Sequence, residues 1–210
     1  MKDLIIVGAG GFGREVYAWA KQCSEYGVEW SIKGFLDDRK DALDPYDYPV
    51  GIVGGIEGYK PAPNDVFVCA LGLIAPKKSV CTSLLERGAT FITLIHPTAV
   101  IGDHVQIGEG SVICPYVILT CDIHLGKFVT VNCHTSIGHD VEVGDWCTLS
   151  CHCDVTGFCK VGEGVYFGSH VSLIPNRKIG PYATLGAGSV VINTIKEQSS
   201  VFGVPAKRFK

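Results

Sequence analysis

The spacing of apolar residues changes near the middle of the chain, and the two halves predict different architectures. Over residues 1–94, short apolar runs alternate with helical spacing. They predict strands at Leu4–Val7, near Ile32–Leu36, at Val66–Leu71 and at Phe91–Leu94, with helices from about Phe12 to Cys23 and around Lys78–Arg87. This is an α/β pattern. The polar, proline-bearing stretch "DDRKDALDPYDYPV" reads as an exposed loop. From residue 95 to 210 an all-β pattern takes over with a period of six. Ile95, Ile101, Ile107, Ile113, Leu119, Leu125, Val131, Ile137, Val143, Leu149, Val155, Val161, Phe167, Leu173, Ile179, Leu185 and Val191 stand in unbroken register. A period of six is neither 3.6 nor 2.0, so it fits neither an amphipathic helix nor a hairpin array; a fixed hexapeptide repeat is the mark of a parallel β-helix. The large aliphatic points inward, and the glycine that often follows it (102, 108, 126, 138, 144, 162, 168, 180 and 186) is read as permitting the corner. The fourth residue after the aliphatic is usually small or β-branched, as at Val105, Val117, Val129, Val141 and Cys147.

Composition narrows the setting. With 210 residues and 47% apolar content the chain has ample core for one large domain or two small ones. A formal net charge of -3 gives no basic face for nucleic acid or anionic membrane; the basic cluster is Lys207, Arg208 and Lys210. No stretch approaches 18 uninterrupted apolar residues, so no membrane span is expected. Ten cysteines without a signal-peptide pattern suit a reduced, cytoplasmic protein better than a disulfide scaffold.

The first strand runs into Gly8-Ala9-Gly10-Gly11-Phe12-Gly13 and then a helical pattern, which makes the N-terminal domain Rossmann-like. Glycines let backbone N–H groups approach a ligand, and a helix start carries partial positive charge, so the loop suits phosphate. Asp37 or Asp38 in "GFLDD" is placed to accept hydrogen bonds from a ribose or a base. A nicotinamide dinucleotide, another phosphate-bearing ligand and a bare strand-to-helix turn all remain compatible with these residues.

Taken together, "IVGAGGFGREV", "GFLDD", "LIHPTAVIG", "SIGHDVEVGD", "IGPYATLGAGSVV" and "VFGVPAKRF" resemble, in order and spacing and over nearly the whole chain, the bacterial sugar acetyltransferases of the bacillosamine N-acetyltransferase and sialic acid O-acetyltransferase type. The repeat itself resembles that of left-handed β-helix acyltransferases, with three faces and 18 residues per coil. The resemblance implies a nucleotide-sugar-binding domain over 1–94 and an acetyl-CoA-binding β-helix with a C-terminal tail over 95–210. The implied activity moves an acetyl group from acetyl-CoA to the amine of a nucleotide-linked amino sugar in bacterial glycan biosynthesis. A sialic acid type O-acetyltransferase uses the same donor and base and remains open. Carried over by residue, Gly10, Gly11 and Phe12 line the phosphates, Asp37 and Asp38 hold the nucleoside, and Gly72 lies in a further substrate loop, where Leu73 stands in place of the polar residue frequent in relatives. Asn132 matches an asparagine near the family's active site. Acetyl-CoA would lie between neighbouring β-helices of a homotrimer, against Thr148, Ser169 and Ala187, with Lys207 and Arg208 suited to its phosphates or forming a solvated tail.

Amide or ester formation needs a base with a pKa near neutrality. His139 in "IGHDVEVG" is the candidate, at a corner two residues after inward Ile137, with Asp140 to orient the ring. Asp140 departs from the Glu more frequent in near relatives. A coil of 18 places Gly157 over His139, about 4.8 Å away, with its N–H as an oxyanion donor. The same arithmetic stacks His134, His152 and His170 in one column, which fits a trimer interface, a substrate contact or, last, a metal. Zinc-dependent γ-class carbonic anhydrases share the β-helix, but no histidine triple stands at a convincing separation, so no metal is expected. In Cys151-His152-Cys153 adjacent side chains alternate sides, so the three cannot chelate one ion together, and Cys147, Cys153 and Cys159 fall on inward positions as small core residues.

Overall fold

A computed structural model describes residues 1–209, and Lys210 lies outside the described residues. Contacts divide the chain into two units, Met1–Pro97 and Thr98–Lys210.

In the first unit, β1 (Lys2–Val7), β2 (Trp30–Leu36), β3 (Ile52–Gly54) and β4 (Asp65–Cys69) form a parallel sheet in the order β3-β2-β1-β4. Leu4, Ile5, Ile6 and Val7 are all fully buried, so both faces of β1 are covered, which is why its sequence is a continuous apolar run. Helix α1 spans Gly11–Ala20 and α2 spans Ile74–Glu86. The second helix starts four residues before the expected Lys78, because Pro76 sits in its first turn, where a missing N–H costs nothing. The expected strand at Phe91–Leu94 is reduced to a single bridge from Phe91 to Phe67 and a two-residue strand, Leu94–Ile95. The loop after β2 is anchored by aromatic packing: Tyr48 meets Tyr17 at 5.0 Å and Phe35 at 5.9 Å, and Tyr46 lies under the Arg14 guanidinium at 3.7 Å.

The second unit is a parallel β-helix of two-residue strands on three faces. One face carries Val100–Ile101, Ile118–Leu119, Ser136–Ile137, Asp154–Val155, Ser172–Leu173 and Val190–Val191. Partners are 18 residues apart on every face, as in Ser136↔Asp154, His124↔Glu142 and Thr130↔Thr148. The period ends near the C-terminus, where Leu185 pairs with Val201, and an antiparallel strand at Lys207–Arg208 closes that face. The inward aliphatics are buried from Ile113 onward; Ile95 and Ile101 are exposed.

The corners differ from the expectation. Left-handed φ falls two residues after the conserved-spacing glycine, at every sixth position from His104 to Gly188, and most of these positions are not glycine: Tyr116, Asp122, Phe128, His134, Asp140, Trp146, His152 and Phe158 all have φ between 53 and 64°. The left-handed conformation costs a side-chain-bearing residue about 1–2 kcal/mol. From Asp122 onward each corner N–H recovers part of this by donating to a carbonyl of the coil before it, as Trp146 does to Lys127 O (2.8 Å) and His152 to Cys133 O (3.0 Å). The glycines of the repeat serve close approach instead. A Cβ on Gly144 would stand 2.7 Å from Glu163 N, and one on Gly168 2.5 Å from Ala187 N.

The small inward residues also bond. Ser111 Oγ donates to Gly126 O (3.2 Å), Thr135 Oγ1 to Ser150 O (2.9 Å), Cys147 Sγ to Gly162 O (3.1 Å) and Cys153 Sγ to Gly168 O (3.2 Å). Hydroxyl and thiol thus serve the same carbonyl 15 residues on, which accounts for these cysteines. Burial pushes the Cys153 thiol up to about 11. No disulfide joins any of the ten cysteines.

Candidate active site

In the first unit, β1 delivers the chain into the glycine loop at its C-terminal end, the edge at which open parallel sheets bind ligands. The four glycines divide into two kinds. Gly8 has φ of 100° and would place a Cβ 2.9 Å from Leu71 Cδ2, and a Cβ on Gly13 would collide with Gly8 O, so both are needed for packing. Gly11 has open space around its Cβ position, and Gly10 meets only Arg39 Nη2, at 4.0 Å. Gly10 caps α1 without a side-chain bond, and the first intrahelical bond is Arg14 N–H to Gly10 O, so the N–H groups of Gly11 and Phe12 have no partner within the helix. A cleft of about 360 Å³ opens here, between Gly10, Gly11 and Phe12 on one side and Leu71, Gly72 and Pro76 on the other, with Asp37 and Arg39 at its margin.

The two acids of "GFLDD" stand differently. Asp38 is exposed and accepts the Ile56 N–H at 2.7 Å. Asp37 is buried, and both of its oxygens are engaged: Oδ2 accepts from Ala9 N–H (2.8 Å) and Arg39 Nη2 (2.9 Å), Oδ1 from the backbone N–H and Nε of Arg39 (3.0 Å each). Burial by itself raises its pKa. The Arg39 side chain, the two backbone N–H groups and the Arg39 charge outweigh burial and hold the carboxyl at about 2.

In the second unit the structure brings His139, Asp140 and Gly157 together. Asp140 occupies a left-handed corner, φ 58°, and its Oδ2 lies 2.8 Å from His139 Nδ1. That contact leaves Nε2 as the nitrogen able to take a proton. One coil on, a Cβ at Gly157 would lie 2.6 Å from His139 Cε1 and 2.7 Å from Nε2, so the ring rests directly on the Gly157 backbone. Phe158 closes the other side edge-on, 5.0 Å from the imidazole centre. The His139 side chain is half exposed, and Asp140 and Phe158 also line a cleft of about 480 Å³ that continues past Asn176, Lys160 and Lys178.

The remaining positions are more dispersed. Asn132 is half-buried and accepts the Cys133 N–H on its own Oδ1 (2.7 Å). Thr148 is buried on its face, Ser169 is half-buried beside His170, and Ala187, Lys207 and Arg208 are exposed. The histidine column exists as a stack: Tyr116, His134, His152 and His170 follow one another at 5.0, 4.9 and 4.8 Å between ring centres. The imidazoles are parallel to within 4°, so their nitrogens run side by side instead of converging, and among the described residues no group of three or more His, Cys, Asp or Glu side chains is placed to hold a metal ion. Two neighbours went unpredicted. Phe158 follows Gly157 and was within reach of the 18-residue arithmetic; Arg39 carries no periodic signal.

Residues 3–84 match the PglD N-terminal domain family. GDP-perosamine N-acetyltransferase of Escherichia coli O157:H7 is 29% identical over 134 residues, which is 63% of this chain and 60% of that protein. UDP-N-acetylbacillosamine N-acetyltransferase of Bacillus subtilis (strain 168) is 30% identical over 124 residues, 54% of this chain and 51% of that protein. The crystal structure of PerB from Caulobacter crescentus, in complex with CoA and GDP-perosamine, superposes with a TM-score of 0.86 at 25% identity, covering 100% of this chain and 98% of that one. Over its whole length the chain is similar to bacterial sugar acetyltransferases. Its matches span 60% and 51% of the two curated relatives' lengths. The superposition gives the second unit the left-handed β-helix fold of the acyltransferases, following a Rossmann-like first unit. Among the described residues, no helix is long and apolar enough to cross a membrane.

Proposed function

We propose that this chain transfers the acetyl group of acetyl-CoA to the amine of a nucleotide-linked amino sugar, in the cytoplasm, as a step of bacterial glycan biosynthesis. The observation that carries the reading is the His139–Asp140 contact of 2.8 Å with the imidazole seated on Gly157. Asp140 keeps the proton on Nδ1, and the Nε2 lone pair accepts a proton from the attacking amine. The amine nitrogen forms a bond to the thioester carbonyl carbon, the C–S bond breaks, and the proton held at Nε2 passes to the departing CoA thiolate. The Gly157 N–H donates to the oxyanion of the tetrahedral intermediate. Asn132 contacts the acceptor. Thr148, Ser169 and Ala187 contact the donor in a groove between neighbouring coils of a homotrimer, and Lys207 and Arg208 face its phosphates. Gly10, Gly11, Phe12, Asp38 and Gly72 take the nucleotide part of the acceptor in the first unit. The two curated relatives are both named as N-acetyltransferases, and the PerB crystal holds CoA and GDP-perosamine; these support an amine over a hydroxyl acceptor.

The test is incubation of the purified protein with acetyl-CoA and amino sugars linked to UDP, GDP or dTDP, following CoA thiol release and the mass of the acetylated product. Wild-type protein is expected to acetylate at least one of them. His139→Ala is expected to lose about 10²-fold or more in kcat while still binding acetyl-CoA. An unchanged rate in that variant removes His139 as the base, and acetylation confined to a sugar hydroxyl moves the enzyme to the O-acetyltransferase class.

A further inference from the structure

The two acids after β2 were expected to hold the nucleoside, yet the buried one is fully occupied by the protein itself. Asp37 spends both carboxylate oxygens on Ala9 and Arg39, so it has little left for a ribose or a base. Two of its four bonds fix one guanidinium, and the other two tie the carboxylate to the backbone N–H groups of Ala9 and Arg39. Arg39 is gripped along one edge, through Nε and Nη2, in the two-pronged geometry that matches a carboxylate. Its outer edge, at Nη1, has no hydrogen-bond partner among the described residues, and its side chain is 64% exposed.

The direction it faces is informative. Arg39 Nη2 lies 4.0 Å from the Cβ position of Gly10, the residue that caps α1, beside the unused N–H groups of Gly11 and Phe12. Of the residues around this cleft, Arg39 is the one cation; the others are glycines, apolar side chains and Asp37. The loop bearing Arg39 is tied down by Tyr46 on Arg14 and by Tyr48 between Tyr17 and Phe35, so the guanidinium is held before any ligand arrives. A pre-placed guanidinium beside a helix start favours an anion with several oxygens.

We propose that Arg39, positioned by Asp37, is the residue that binds the diphosphate of the nucleotide-linked acceptor, against the N–H groups of Gly11 and Phe12. This rests on the acceptor reading given above and deepens it: recognition in the first unit is of a nucleoside diphosphate group, and Asp37 acts through Arg39 as a positioning residue. The base and ribose are left to other groups of the unit.

Calorimetry with UDP, GDP and dTDP on the wild-type protein, Arg39→Ala, Arg39→Lys and Asp37→Asn tests this, together with steady-state kinetics and thermal melting. Arg39→Ala is expected to weaken nucleoside diphosphate binding and raise KM for the nucleotide-linked sugar about tenfold or more, with kcat and the acetyl-CoA KM within about twofold of wild type and a cooperative melting transition retained. Arg39→Lys recovers part of the loss because a point charge replaces the fork. Asp37→Asn, which loosens the guanidinium without removing it, raises the same KM by a smaller factor. Diphosphate binding by Arg39→Ala equal to wild type, or a fall in kcat with KM unchanged, overturns the proposal while leaving the acceptor reading standing. If the wild-type protein itself binds none of the three diphosphates, the acceptor reading falls and this proposal with it.

Discussion

Gly157 is the residue on which the proposed chemistry of the coil turns, since it has no side chain where His139 has a ring. Its φ is not in the left-handed region, so alanine is compatible with the backbone, and the whole cost of Gly157→Ala falls on the imidazole, whose Cε1 would stand 2.6 Å from the new methyl. The ring must then tilt off Asp140. We expect kcat to fall by about tenfold or more, since small misplacements of a reacting group cost up to about 10²-fold, while acetyl-CoA binding and the circular dichroism spectrum stay as in wild type. A rate equal to wild type would show that the seat on Gly157 does not matter. These residues were legible from the chain itself because a fixed coil length turns sequence distance into spatial distance: 139 and 157 are one coil apart. Arg39 was not legible, because its placement depends on an Asp37 side chain that folds back to bond Ala9, a contact across 28 residues with no period behind it.

At the scale of the element, the repeat contains two distinct demands that the sequence blurs into one. One is the left-handed corner, met by histidine, tyrosine, aspartate, phenylalanine and tryptophan alike because a backbone N–H to the previous coil stabilises it. The other is close passage of the next coil, met by glycine on the Gly108, Gly126, Gly144, Gly162 and Gly180 edge. Glycine is easily credited with the first because it is the usual left-handed residue; here its work is the second. Gly144→Ala therefore inserts a methyl 2.7 Å from a backbone nitrogen that cannot swing away. The expected cost is about 1–3 kcal/mol, which lowers the melting temperature by about 2–4 °C per kcal/mol in a chain of this size. Thr120→Ala, at an equivalent step of the repeat where a side chain is already accommodated, serves as the control and should change melting little. In the first unit, β3 escaped prediction for a related reason: three half-buried residues, Ile52–Gly54, leave no pattern to read.

For the molecule as a whole, the two units each complete a core of their own, one around β1 and one inside the coil, and each carries one part of the proposed reaction. The coil leaves apolar side chains outside: Val100 is 59% and Ile118 45% exposed on adjacent rungs of one face. Such exposure suits burial against further copies of the chain. Sedimentation equilibrium is expected to give three times the mass of one chain, and a monomer that turns over normally would contradict the donor groove proposed between coils. An assembly of copies is beyond the reach of periodicity, which describes what lies inside a coil and not what meets its outside.

The left-handed corners bear on how such a chain can diversify. From Asp122 onward each is secured by main-chain bonding, so the side chain of an exposed corner is free to vary at a spacing of one rung. Tyr116, His134, His152 and His170 fill one such column with rings, while Asp122, Asp140, Phe158 and Asn176 fill another beside the proposed base. Evolution can rewrite either column letter by letter, altering what the prism touches, without rewinding the prism.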